Sequence, residues 1–134
     1  MLQIRNHMSR LTHSLSPQLG LAEALDRLHQ ADASGLPVLD DQKRLIGFLS
    51  EQDCIPSLLT GSYHCDSRTR VEDLMSRTPL FVSPGDSILD LARQMTGARP
   101  KVYPVLEGGK VVGIINRRQV MQALNAQMKQ CQAT

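Results

Sequence analysis

The sequence predicts an α/β (α+β) fold: two pseudo-twofold-related strand–helix–strand–strand–helix repeats packed sheet to sheet. Three observations carry that prediction. Short motifs recur at a constant offset, apolar patterns of helix and strand type follow one another in the same order in both copies, and a copy of about 60 residues buries too little surface to be comfortable alone. Met8-Ser9-Arg10 recurs as Met75-Ser76-Arg77, Ser16-Pro17 as Ser83-Pro84, and Pro37-Val38-Leu39 as Pro104-Val105-Leu106, each 67 residues on. Gly47-Phe48-Leu49 then answers to Gly113-Ile114-Ile115 at an offset of 66. The missing residue falls in a turn, Asp40-Asp41-Gln42-Lys43 against Glu107-Gly108-Gly109-Lys110.

The elements follow in order. A short helix is expected at 4–8 and again at 71–75, ahead of each copy. After the Ser-Pro, Leu21, Ala24, Leu25 and Leu28 stand at i, i+3, i+4 and i+7, as do Ile88, Leu91, Ala92 and Met95, and each set marks a one-faced helix. Leu36-Pro37-Val38-Leu39 and Tyr103-Pro104-Val105-Leu106 are too brief for helices. Each is followed by a polar turn and a second apolar run (45–49 or 111–115), which reads as a β-hairpin, with Gly108-Gly109 a fitting tight turn. The closing segments, 54–59 and 120–128, are apolar at helical spacing; Val120, Leu124 and Met128 form a stripe that could meet a second subunit. Polar, aperiodic sequence from Thr60 to Arg70 reads as a surface linker. The predicted organisation is therefore repeat one at 1–60, a linker at 61–70, repeat two at 71–128 and a tail at 129–134, the repeats forming one module.

Composition narrows the function. Lys and Arg number 15 against 13 Asp and Glu, a formal net charge of +2, and no basic arm or stripe is visible. With two Tyr, two Phe and no Trp, the rings that stack on single strands are scarce, so nucleic acid is not an expected partner. No apolar run approaches the roughly 18–20 residues that span a bilayer, and the first residues lack a secretory pattern, so no membrane partner is expected. Cys54, Cys65 and Cys131 are an odd number at unrelated spacings, which suits reduced thiols and a cytoplasmic location. His7, His13, His29 and His64 have no metal-ligand spacing. His64-Cys65-Asp66 is adjacent in sequence only, whereas catalytic triads meet in space. No nucleophile or acid–base set converges, so neither an enzyme nor a bound metal or cofactor is expected.

One motif carries binding chemistry. Gly47 ends a strand and would permit close approach by a ligand. Ser50 follows at a helix start, where unpaired backbone N–H groups favour an anion. Asp53, one turn in, can accept hydrogen bonds from a ribose diol. Ser50-Glu51-Gln52-Asp53 is equally a capping box, with Ser at the N-cap and an acid three residues on. The second copy, Asn116-Arg117-Arg118-Gln119, keeps the cap and loses the carboxylate. Capping accounts for both copies alike, whereas ribose binding predicts that they differ, with one competent site at Asp53 and one altered or empty.

Pro-Val, hairpin, then Gly-aliphatic-aliphatic-Ser/Thr-x-x-Asp resembles the cystathionine-β-synthase (CBS) domain, and two copies in tandem resemble the Bateman module, from about Ile4 to Leu124. The resemblance implies a regulatory sensor that takes an adenosine-containing ligand (AMP, ADP, ATP or S-adenosylmethionine) in a cleft between the repeats. It would place Gly47, Phe48, Leu49, Ser50 and Asp53 in that cleft with Leu80, Lys101 and Val102 from the other copy. A second, altered cleft would combine Ile115, Asn116, Arg117 and Gln119 with His13, Ser34 and Gly35. Lys101 in the first cleft, or Arg117 and Arg118 in the second, could meet a phosphate. Homodimerisation is the family habit. Since the chain leaves no room for an effector domain, the expected effector is a separate protein acted on in trans. The alternative kept open is a ligand-free dimerisation scaffold.

Overall fold

The computed structural model describes residues 2–64, 68–97 and 99–133, with 61–64 described by their backbone. The chain divides into two compact units whose borders differ from those of the sequence repeats. Up to Leu11 it belongs to one unit, Thr12–Pro79 forms the other, and from Leu80 it returns to the first. They are called here the Gln119 unit and the Asp53 unit, after the residue that distinguishes each.

In the Asp53 unit, α1 (Leu21–Ala31) buries Leu21, Ala24 and Leu28, the face read from the sequence. It ends where Asp32 turns left-handed at φ 50° and gives its N–H to the last-turn carbonyls, a common helix stop. The hairpin β2 (Gly35–Leu39) and β3 (Leu45–Ser50) is antiparallel, with a bulge between Val38 and Leu39. Its turn is held by Asp40, whose Oδ1 accepts from the N–H groups of Gln42 and Arg44 at 2.9 and 2.8 Å, while Lys43 takes the left-handed φ of 64°. From β3 the chain passes straight into α2 (Glu51–His64). The expected first strand is reduced to one parallel bridge, Leu15 to Val38. Leu15, Leu28, Leu36, Val38, Leu49 and Cys54 form the core, and Val71 and Met75 complete it.

The Gln119 unit repeats this plan. Ser87 caps α4 (Ile88–Met95) by accepting from the N–H groups of Leu89 and Asp90. The hairpin β4 (Val102–Glu107) and β5 (Lys110–Asn116) turns through Gly108 and Gly109, both at positive φ, and carries its bulge at the matching place, Val105/Leu106. The first strand is again one bridge, Val82 to Val105, and α5 (Arg117–Gln132) closes the unit. Its core gathers Ile88, Leu91, Tyr103, Val105, Ile115 and Val120 around Ile4. The Tyr103 hydroxyl is buried there without a hydrogen-bond partner among the described residues. Val120 faces this core and Leu124 is half-buried, so the expected outward stripe on α5 is carried by Met121 and Met128 instead.

Each lead-in helix packs on the copy that does not follow it. The single turn at Ile4–Asn6, shorter than the helix expected at 4–8, sits in the Gln119 unit, where Ile4 N–H donates to Asp86 O and Arg5 N–H to Pro84 O. The strand after it, β1 (Ser9–Arg10), pairs with β5. In the Asp53 unit the same place is filled by α3 (Val71–Leu74), with Val71 N–H donating to Leu19 O and Glu72 N–H to Pro17 O. Ser76 then pairs with Phe48 through both main-chain hydrogen bonds, at 3.1 and 2.9 Å.

Helix α2 continues through His64, into sequence expected to be aperiodic linker. A polar run carries no hydrophobic period to read, and Thr60 Oγ1 donates to the Pro56 carbonyl at 3.3 Å within the helix. Cys65 and Asp66, part of the His64-Cys65-Asp66 run, lie outside the described residues.

Candidate functional site

The strand-to-helix corner at Ser50 forms the reciprocal capping box. Ser50 N–H donates to Asp53 Oδ2 at 3.1 Å, and Asp53 N–H donates to Ser50 Oγ at 3.3 Å. The capping role is therefore real, and it leaves the side chain exposed, with Oδ1 accepting no hydrogen bond among the described residues. The corner is completed within its own unit: Gly35 pairs with Ser50, and Glu51 N–H donates to the Ser34 carbonyl at 2.9 Å. Ser34 and Gly35 thus stand beside Ser50 and Asp53 in one unit, although the sequence reading assigned them to the altered cleft.

Below this corner, Cys54 is fully buried and gives its thiol to the Ser50 carbonyl at 3.3 Å. Burial first, then the negative charges of Asp53 and Glu51, push its pKa up to about 11.

The corner at Asn116 has the same capping-box pattern and a different outcome. Asn116 N–H donates to Gln119 Oε1 at 2.9 Å and Gln119 N–H to Asn116 Oδ1 at 2.8 Å. The remaining end of the Gln119 carboxamide is also engaged, with Nε2 donating to Ser9 Oγ at 2.6 Å. Val102 pairs with Asn116, and Arg117 N–H donates to the Lys101 carbonyl at 2.8 Å. Lys101 and Val102, expected at the Asp53 site, are thus neighbours of Asn116 and Arg117. The Lys101, Arg117 and Arg118 side chains are exposed, Val102 is buried, and Leu80 is exposed in the same unit.

Several expected ligand contacts are structural. Leu49 and Ile115 are wholly buried in their cores and present no surface to a ligand. Gly47 does allow a close approach, but by the protein: a Cβ there would meet Met75 Sδ at 2.6 Å and Ser76 O at 2.9 Å. Gly113 has the same reason, with Ser9 O at 2.5 Å. A Cβ at Gly35 would meet the Phe48 ring at 2.5 Å, so the glycine leaves room for Phe48, which is half-buried. His13 lies in the Asp53 unit, its Nδ1 sharing a hydrogen bond with Thr12 Oγ1 at 2.9 Å. Sequence reasoning missed Ser9 and Ser76. The only signal was their presence in the repeated Met-Ser-Arg, which gives homology without saying what the hydroxyls touch.

The CBS-domain family profile matches residues 4–59 and 71–126. The chain belongs to the CBS-domain family. Among its CBS relatives are the protein MJ1225 of Methanocaldococcus jannaschii, 26% identical over 92% of this chain and 43% of that protein, and the chloroplastic CBSX2 of Arabidopsis thaliana, 28% identical over 83% and 58%. The chain thus spans about half the length of these relatives. In structure it resembles CBSX2 in a crystal structure in complex with AMP, with a TM-score of 0.79 and 28% identity, covering 96% of this chain and 99% of that one. AcuB of Vibrio cholerae, at a TM-score of 0.81 and 21% identity over the whole of this chain and 98% of its own, shares the fold. The fold is accordingly that of a tandem CBS pair, a Bateman module. Among the described residues no helix is long and apolar enough to cross a membrane, and no group of three or more His, Cys, Asp or Glu could hold a metal.

Proposed function

We propose that this CBS pair is a regulatory, non-catalytic sensor that binds an adenine nucleotide of the AMP type, with Ser50 and Asp53 receiving the ribose. The observation that carries the reading is the unspent oxygen of Asp53: an exposed carboxylate, already oriented by its cap, with Oδ1 open to a diol. The bound AMP of CBSX2 supplies the ligand class. A carboxylate held by a backbone N–H loses no rotamer freedom when a sugar arrives, so its charge-assisted bonds are gained at low entropic cost.

Signalling follows if the nucleotide prefers one conformation of the pair, typically by about 1–3 kcal/mol, and a separate effector protein reads that preference. We also place the module in the cytoplasm, as a homodimer. Each unit offers exposed apolar side chains to a second copy, Ile55 and Leu59 on α2 of the one and Met121 and Met128 on α5 of the other. The same side chains favour a second reading, a scaffold that dimerises without any ligand.

Thermal unfolding with AMP, ADP, ATP and S-adenosylmethionine tests the first reading. At about a hundredfold excess over Kd, linkage adds roughly 2.7 kcal/mol, a shift of several degrees. Asp53→Asn is the informative variant. Its amide oxygen still accepts from Ser50 N–H, so the unliganded midpoint should hold while the nucleotide-induced shift disappears. Flat curves for the unaltered chain across the whole panel, with dimers persisting in sedimentation velocity, would leave only the scaffold.

A further inference from the structure

The two corners match in strand register yet differ in state: Gln119 is one methylene longer than Asp53 and carries an amide donor where Asp53 carries a charged acceptor. Ser9 faces Ile114 across β1 and β5, and Ser76 faces Phe48 in the same way. Gly113 and Gly47 sit under Ser9 O and Ser76 O, each with the sulfur of the preceding methionine close by. Ser9 and Ser76 therefore hold equivalent positions, as do Gln119 and Asp53 on the helices that follow. In one copy the longer Gln119 side chain reaches the Ser9 hydroxyl at 2.6 Å. In the other the shorter Asp53 makes no bond to Ser76, whose exposed hydroxyl has no hydrogen bond among the described residues.

We propose that Ser76 and Asp53 together form the hydroxyl-gripping pair of a single nucleotide site per chain, and that Gln119 closes the sister corner from within by occupying Ser9. This rests on the nucleotide reading above and adds a ligand-contacting residue and a stoichiometry to it. The chemistry matches in kind. The Gln119 amide shows that a donor placed between the N3 side chain and this serine finds an acceptor there. At the Asp53 corner that donor has to come from outside, and a vicinal diol supplies two: one for Asp53 Oδ1 and one for Ser76 Oγ. At the Gln119 corner the carboxamide also lacks the negative charge that makes such bonds strong. A nucleotide would have to break the Gln119–Ser9 bond to enter, for a weaker bond in return.

Isothermal titration of the full chain with AMP tests this, read as stoichiometry and affinity. One AMP per chain is expected. Ser76→Ala, which keeps both main-chain bonds to Phe48, should weaken AMP about five- to tenfold, the value of one neutral hydrogen bond, while Ser9→Ala leaves the affinity unchanged. Gln119→Asp retains an acceptor for Asn116 N–H, frees Ser9 and should reveal a second AMP per chain. Two AMP per unaltered chain, a single AMP in Gln119→Asp, or equal affinities for Ser76→Ala and the unaltered chain would each overturn the proposal while leaving the nucleotide reading intact. No AMP binding at all would overturn that reading, and this inference with it.

Discussion

Asp53 caps α2 through Oδ2, and the residue after it shows what the arrangement does to its surroundings. Cys54 lies beneath the carboxylate with its thiol raised to about 11 against an ordinary value of 9.0. A thiol that is harder to ionise in the folded chain favours folding while it stays protonated. That contribution is complete below pH 9, where the unfolded chain also keeps its proton, and is lost as pH climbs from about 9 to 11. Chemical denaturation at stepped pH should therefore show stability falling over this window. Cys54→Ser, whose hydroxyl can still donate to the Ser50 carbonyl and does not titrate, should flatten that part of the profile; an unchanged slope would show that other groups cause it. At pH 7 the same thiol should resist alkylation in the native chain, since the thiolate is the reactive form. The residue scale is also where sequence reading was least able to decide. Ser-x-x-Asp is the same string whether it caps a helix or holds a sugar, and an exposed cap leaves Oδ1 unbonded in either case. Gly47 misled for a similar reason: the need for a glycine was legible, but whether ligand or backbone pressed on it was not.

At the scale of elements, the hairpins show two solutions to one turn. Gly108 and Gly109 enter positive φ without a Cβ to clash, as their sequence advertised. The longer turn of β2 and β3 places Lys43 at φ 64°, and Asp40 holds it there through three hydrogen bonds to Gln42 and Arg44. Those bonds and the flanking charge of Arg44 lower the Asp40 pKa. A side chain in the left-handed region costs about 1–2 kcal/mol, part of which glycine returns as unfolded-chain entropy. Lys43→Gly should accordingly stabilise the Asp53 unit by about 0.5–1 kcal/mol. A raised urea midpoint at constant m-value would register it, and a lowered midpoint would mean that the Lys43 side chain contributes more than its backbone strain removes. Helices α1 and α4 were legible because one face of each is buried and the other solvated. The first strand of each copy was not reducible to a single bridge from sequence, since Leu15 and Val82 are apolar whether they pair once or over a full strand.

For the whole molecule, the informative feature is that each lead-in leaves its own copy. The constant offset identified both lead-ins, yet an offset reports ancestry and says nothing about partners. Ile4 and Val71 are comparable apolar residues, and either core could accept either one on chemical grounds. What the structure adds is the assignment: Ile4, wholly buried, belongs with β4, β5 and α4, and Val71 with α1, β2 and β3. Removing residues 1–11 then becomes a directional experiment. It strips the Gln119 unit of a core side chain, of the hydrogen bonds from Ile4 and Arg5 to the segment before α4, of the β1 pairing with β5 and of the Ser9–Gln119 bond. Loss of the Ile4 side chain alone is worth about 2–5 kcal/mol, a large part of the stability of a domain this size. All of these contacts belong to the Gln119 unit. Hydrogen exchange followed by mass spectrometry should therefore find β4, β5 and α5 losing protection while β2, β3 and α1 keep theirs. The pattern is opposite to the one expected if residues 1–11 supported the repeat they precede in sequence. Faster exchange in β2 and β3 with β4 and β5 unaffected would show that the lead-ins are not exchanged.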